Sequence, residues 1–128
     1  MSTKQVIVIR KDLKMRKGKM IAQGAHASMK VFFDMIEYTF ERKMMLNGIT
    51  PPMNEWVNGL FTKICVGVDS EEELLDVYQR AKDAGLPCSL IQDAGLTEFG
   101  GVPTHTAVAI GPDYSHGIDD ITGHLKLL

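Results

Sequence analysis

"QVIVIRKDLKMRKGKMIAQGAHASM", residues 5–29, passes from an apolar run through a basic segment into helical spacing. The β-branched run "QVIVI" (5–9) reads as a strand buried on both faces. Residues 10–16 read as a loop. Beyond it Met20, Ile21, Gly24, Ala27, Val31, Met35 and Ile36 recur at helical spacing, which predicts a helix from about Lys17 to Met44. Ala22, Gly24, Ala25, Ala27 and Ser28 are small enough to let that helix lie close to a sheet. Six of the ten residues from Arg10 to Lys19 are Lys or Arg, and Asp12 is the only acid among them. A helix start favours negative charge. So much positive charge there implies an anionic partner rather than a role in the core.

Downstream, "LNGITPPMN" (46–54) breaks the helix with Gly48 and the Pro51–Pro52 pair. "TKICVGV" (62–68) reads as a second strand. Ser70 followed by Glu73 is a capping box, which predicts a helix from about Glu71 to Ala84. Gly85 closes that helix and Pro87 prevents its continuation. "CSLIQ" (88–92) and "TAVAIG" (106–111) read as the third and fourth strands, and "GIDDITGHL" (117–125) as a short last helix. The order β-α-β-α-β-β-α implies one α/β domain over residues 1–128, a four-stranded mixed sheet with helices packed on it.

The totals fit a single domain: 128 residues, 45% hydrophobic and 23% charged. Cys65 and Cys88 lie in apolar runs and read as reduced core cysteines of a cytoplasmic protein. No apolar run approaches the roughly 18 residues of a membrane span, and the first apolar stretch is too short for a signal peptide. The net charge of −2 hides an asymmetry. Residues 1–50 carry ten Lys or Arg against four Asp or Glu, and residues 51–128 carry four against twelve. A local basic patch on an acidic protein fits an anion site on one face. His26, His105, His116 and His124 fall in no metal-ligand pattern with the cysteines. There is neither a GxSxG elbow nor a phosphate loop.

Lys19, Gln23, His26 and Lys30 are spaced four, three and four, and line one polar stripe of the first helix. Alone, such a stripe is a solvent face. Asp93, however, directly follows the third strand at its carboxyl end, and a loop with three threonines (95–106) comes next. Alone, Asp93 is a turn residue before Ala-Gly. Ligands of α/β sheets bind beyond the carboxyl ends of strands. If the first and third strands are parallel, Lys19 and Asp93 meet at that edge. A carboxylate, an ammonium and hydroxyls together can activate water and stabilise an oxyanion.

Taken in order, "VIVIRKDLKMRKGKMIAQGAHAS", "SLIQDAGLTE", "TAVAIGP" and "ITGHLKL" resemble the peptidyl-tRNA hydrolase 2 family over about three-quarters of the chain. The resemblance implies a compact α/β fold, usually dimeric. It also implies hydrolysis of the ester between a peptide and the 3′ ribose of tRNA, with no cofactor and no metal. Lys19, Asp93, Thr97 and Thr106 match the family's proposed catalytic positions. Gln23 and His26 match the helix that lines the same site. Lys14, Arg16 and Lys17 then hold tRNA phosphate. Asp93 has two roles open to it, orienting or deprotonating water and fixing Lys19. Lys19 has two as well, the oxyanion and the terminal phosphate. The sequence departs from the family in three places. Leu96 stands where Arg is common, the loop "TEFGGVPTHT" is one residue longer, and the stretch from Phe33 to Asn54 is longer by about ten residues. A module of this ancestry that binds tRNA or protein without catalysis is the alternative reading.

Overall fold

A computed structural model describes all of residues 1–128. The elements are β1 (Thr3–Arg10), α1 (Lys17–Phe33), β2 (Ile36–Tyr38), β3 (Met44–Leu46), α2 (Pro51–Asn58), β4 (Lys63–Val68), α3 (Glu71–Asp83), β5 (Cys88–Asp93), β6 (Thr104–Tyr114) and α4 (Ser115–Thr122). Four strands form one mixed sheet in the order β4-β1-β6-β5. β1 runs parallel to β4 and antiparallel to β6. β5 is antiparallel to β6 and therefore parallel to β1. The carboxyl ends of β1 and β5 thus point the same way.

β1 is buried on both faces because helices cover both. Val6 and Val8 join Leu74, Val77 and Ala81 of α3 and Ile118 and Ile121 of α4 in one core. Ile7 and Ile9 join Ala27 and Val31 of α1 and Met53 of α2 in the other. Each fully buried aliphatic side chain contributes about 1.5–3 kcal/mol, so the alternation along β1 anchors both layers.

α1 is fixed on the sheet by polar ties as well as packing. Gln5, wholly buried, donates from Nε2 to Ser28 O (3.3 Å) and Gly111 O (3.2 Å), while the Ser28 hydroxyl donates to Gln5 Oε1. Ser89 Oγ donates to Ala27 O at 2.7 Å. No buried side-chain polar atom is left without a partner. These ties set the height of α1, and hence the position of Lys19 and Gln23 over the sheet edge.

The largest difference between the sequence reading and the structure is in one long segment. The first helix ends at Phe33 rather than near Met44, and a two-stranded sheet of β2 and β3 follows. Residues 46–54, expected as a plain break, contain the start of α2. There Thr50 Oγ1 accepts from Met53 N, and Pro51 and Pro52 occupy the first helical positions. Proline is well placed there, where its missing N–H is not needed. The capping box is also modified. Ser70 Oγ accepts from Glu73 N at 3.0 Å, but the Glu73 carboxylate reaches Asp69 N rather than Ser70 N. The last helix starts at Ser115 and ends at Thr122, earlier at both ends than expected. The thiols are free, yet neither is fully buried: Cys65 is exposed and Cys88 half-buried. No helix is long and apolar enough to cross a membrane.

Candidate active site

The carboxyl edge that β1 and β5 share gathers Lys19, Gln23, Asp93, Thr97 and Thr106. Lys19 Nζ lies 3.0 Å from Asp93 Oδ1 and donates to Thr97 Oγ1 at 2.8 Å. Gln23, one turn along α1, donates from Nε2 to the same Asp93 oxygen at 3.2 Å. Gly95 N donates to Asp93 Oδ2 at 2.8 Å. The Lys19 ammonium also stands 5.7 Å from the centre of the Phe99 ring.

Local backbone chemistry makes this possible. Asp93 ends β5, and its side chain caps the turn that follows, a habit of aspartate before Ala-Gly. Gly95 adopts φ +81°, and a Cβ there would lie 2.2 Å from Val102 O. Only glycine lets the loop close on itself. On β6 the strand alternation should aim Thr106 at the α3 side, with Val108 and Ile110. A register shift opposite Ile91 and Gln92 leaves Thr106 as an extra residue. Bulges of this kind re-aim side chains. Thr106 turns to the α1 side and its hydroxyl donates to Gln23 Oε1.

The donor and acceptor inventory shows what is spent. Asp93 Oδ1 accepts two bonds, from Lys19 and Gln23, while Oδ2 accepts one, from Gly95. One lone pair remains on Oδ2. Lys19 uses two of its three donors. Thr97 accepts from Lys19, so its own O–H is free to donate. The Lys19 hydrogen bond, foremost, holds the Asp93 carboxyl below its ordinary value of 3.8, with help from Gly95 N and Gln23. Asp93 is therefore ionised at neutral pH.

The expected residues do not all share one surface. Lys19 and Asp93 have side chains 14% and 15% exposed, and Thr97 is open to solvent. Gln23 and Thr106 are sealed, at 1% and 0%. The expected polar stripe on α1 therefore splits: Gln23 faces the sheet, His26 faces solvent, and Lys30 pairs with Asp34 at 2.8 Å. Lys14, Arg16 and Lys17 are all exposed around the start of α1. Arg16 is the N-cap and makes no side-chain cap bond. Its Nε donates to Glu98 Oε1 at 2.7 Å. Sequence reading missed Glu98, Phe99 and the Gly95 amide. The Asp-Ala-Gly turn is the one local signal that points to the amide. No three His, Cys, Asp or Glu side chains converge to hold a metal.

The family profile described as peptidyl-tRNA hydrolase PTH2 matches residues 3–128. The peptidyl-tRNA hydrolase of Methanocaldococcus jannaschii is 49% identical over 125 residues, covering 98% of this chain and 99% of that relative. Those of Staphylothermus marinus and Methanopyrus kandleri are 45% and 42% identical, each over 98% of this chain and over 94% and 97% of the relative.

Proposed function

The chain belongs to the peptidyl-tRNA hydrolase PTH2 family, and on that premise we propose that it cleaves the ester between a peptide and the 3′ ribose of tRNA at the Lys19–Asp93–Thr97 cluster. The observation that carries this reading is the set of unspent valences in one place. A water that donates to the spare lone pair of Asp93 Oδ2 is oriented for attack. The third Lys19 donor and the Thr97 hydroxyl meet the oxyanion that forms. The water oxygen bonds to the acyl carbon, the bond from that carbon to the ribose oxygen breaks, and the ribose oxygen leaves with a proton. The products are a free peptide acid and a tRNA with a free terminal hydroxyl.

Asp93, held below its usual value by Lys19, is a weak base. Its role in this reading is to orient water and fix Lys19. Gln23 and Thr106, both sealed from solvent, act as positioning residues. Thr106 donates to the Gln23 carbonyl, which turns the amide N–H toward Asp93. His26, exposed beyond Gln23 on α1, is a substrate contact. Lys14 and Lys17 hold tRNA phosphate, and Arg16 stands beside them. Lys14→Ala or Lys17→Ala should flatten the log–log salt dependence of tRNA binding by about 0.7–0.9. Such contacts exist in ground and transition states alike, so turnover at saturation should hold. The reaction uses no cofactor in this reading, and the setting is the cytoplasm, where translation releases such esters.

The reading includes a homodimer. Two adjoining clefts of about 570 and 480 Å³ flank α1, one against β1 and β4 and the other against α2, and share Ser28 and Met29. Exposed Ile21, Met29, Val57 and Phe61 make this face apolar, as an interface between copies would be. Sedimentation at micromolar concentration should give twice 14.2 kDa; a species of 14.2 kDa alone would contradict it. For the activity itself, purified protein should release peptide from an N-acetylaminoacyl-tRNA with repeated turnover. Binding of that substrate without release would favour the non-catalytic module instead.

A further inference from the structure

We infer that Glu98 is a built-in competitor for the phosphate that Arg16 would hold, and so sets how tightly the protein grips tRNA. This rests on the tRNA reading above. Four of the six basic residues between Arg10 and Lys19 already have an acid within reach. The distances are 2.6 Å for Arg10–Asp12, 3.5 Å for Lys11–Asp69, 2.7 Å for Arg16–Glu98 and 3.0 Å for Lys19–Asp93. Lys14 and Lys17 have none. The basic segment therefore offers phosphate far less free charge than its composition suggests.

The Arg16 pair is built unlike the others. The Arg16 side chain is 82% exposed and can leave, whereas that of Glu98 is 13% exposed. Glu98 is held in place because its chain neighbours Thr97 and Phe99 sit against Lys19. The bond uses Nε alone, and the other guanidinium donors make no bond to the protein. Arg16 thus presents two donor-bearing nitrogens outward while its charge is cancelled. A cation already neutralised by a carboxylate displaces no counterion from the nucleic acid when phosphate arrives. Phosphate must first open the pair and then lie beside a fixed carboxylate. The effect suits a hydrolase whose substrate and product carry the same phosphates. Grip common to both does not speed chemistry and delays product release.

The test is the affinity of deacylated tRNA, measured by fluorescence anisotropy across a series of NaCl concentrations. Glu98→Gln should bind about two- to fivefold more tightly than wild type, the fold-change of an exposed ion pair. Its salt slope should steepen by about 0.7–0.9, one more phosphate contact. Glu98→Ala should move the same way, which excludes an effect peculiar to glutamine. Adding Arg16→Ala to Glu98→Gln should abolish the gain. An unchanged slope in both Glu98 variants, or a gain that survives without Arg16, overturns the inference. If Lys14→Ala and Lys17→Ala flatten the slope while the Glu98 variants do not steepen it, the tRNA reading stands and the role of Glu98 falls. If no basic substitution alters the slope, tRNA lies elsewhere and both fall.

Discussion

Two ion-pair clusters stand at the same carboxyl edge of the sheet, one on each face. On the α3 side, Arg10 grips Asp12 through Nε and Nη2, donates to His105 O and lies 3.6 Å from Glu71, which in turn faces His105. On the α1 side, Lys19 holds Asp93 and Thr97. Burial does not tell them apart, since the Arg10 and Lys19 side chains are 10% and 14% exposed. What differs is what the bonds serve. Arg10 bridges the end of β1, the loop after it, β6 and the start of α3, and its bonds are to the protein itself. The Lys19 cluster keeps an ammonium proton, a hydroxyl proton and a carboxylate lone pair at one open edge. A cluster whose bonds tie separate elements together stabilises; one that keeps donors beside a free carboxylate lone pair at an open edge can do chemistry.

The sharpest break in that comparison comes from removing one of those donors. Lys19→Ala should lower turnover by about 10²-fold or more, measured at saturating substrate, with the fold retained because the group sits at the rim. Thr106→Val comes next, at about tenfold in turnover, since it frees the Gln23 amide to turn. It also leaves Gln23 Oε1 buried without a donor, at about 1–3 kcal/mol of stability. Thr106→Ser should restore both, and a Val variant as active as wild type would detach Gln23 from the site. Arg10→Met should do the opposite. It should cost about 1–2 kcal/mol by thermal or urea unfolding, because charged hydrogen bonds are lost while Asp12 regains water. Turnover per folded molecule should stay at the wild-type level, and a large loss would mean the two clusters are not separate.

The smallest effect is in pH. Lys19 holds the Asp93 carboxyl below its ordinary value. The acid limb of kcat/KM should therefore fall below the usual aspartate range of about 3.9. A group with a depressed folded value stabilises at pH above its unfolded value, and loses that contribution as pH falls through the folded one. Asp93→Asn should remove this part of the acid sensitivity in unfolding experiments.

Much of this comparison is legible in the sequence. "QVIVI" is apolar on both faces and sits where two helical layers need it. Asp93 closes a strand before Ala-Gly, and Lys19 starts a helix after a parallel strand, so their meeting follows from topology. Other features leave no local trace. Arg10 counts as a basic-patch residue in composition; Asp12 is a partner close at hand, but His105 and Glu71 lie far along the chain. Arg16 and Glu98 are likewise 82 residues apart. Thr106 reaches Gln23 through a bulge that strict alternation does not predict. The Pro51–Pro52 pair reads as a breaker by composition, although Thr50 before it makes it a helix start. The β2–β3 hairpin leaves no turn signal, because "EYTFERKMML" lacks Gly and Pro and continues a helical pattern.

The central claim is that Lys19 and Asp93 work as one unit on water and oxyanion. Single-turnover hydrolysis of a saturating N-acetylaminoacyl-tRNA by Asp93→Asn, Lys19→Ala and the double variant tests it most directly. Each single change should slow the step by about 10²-fold or more. The double should be little slower than either, because groups that act together are strongly non-additive. Near-normal hydrolysis by Asp93→Asn with tRNA still bound, or full additivity of the two losses, would contradict the account.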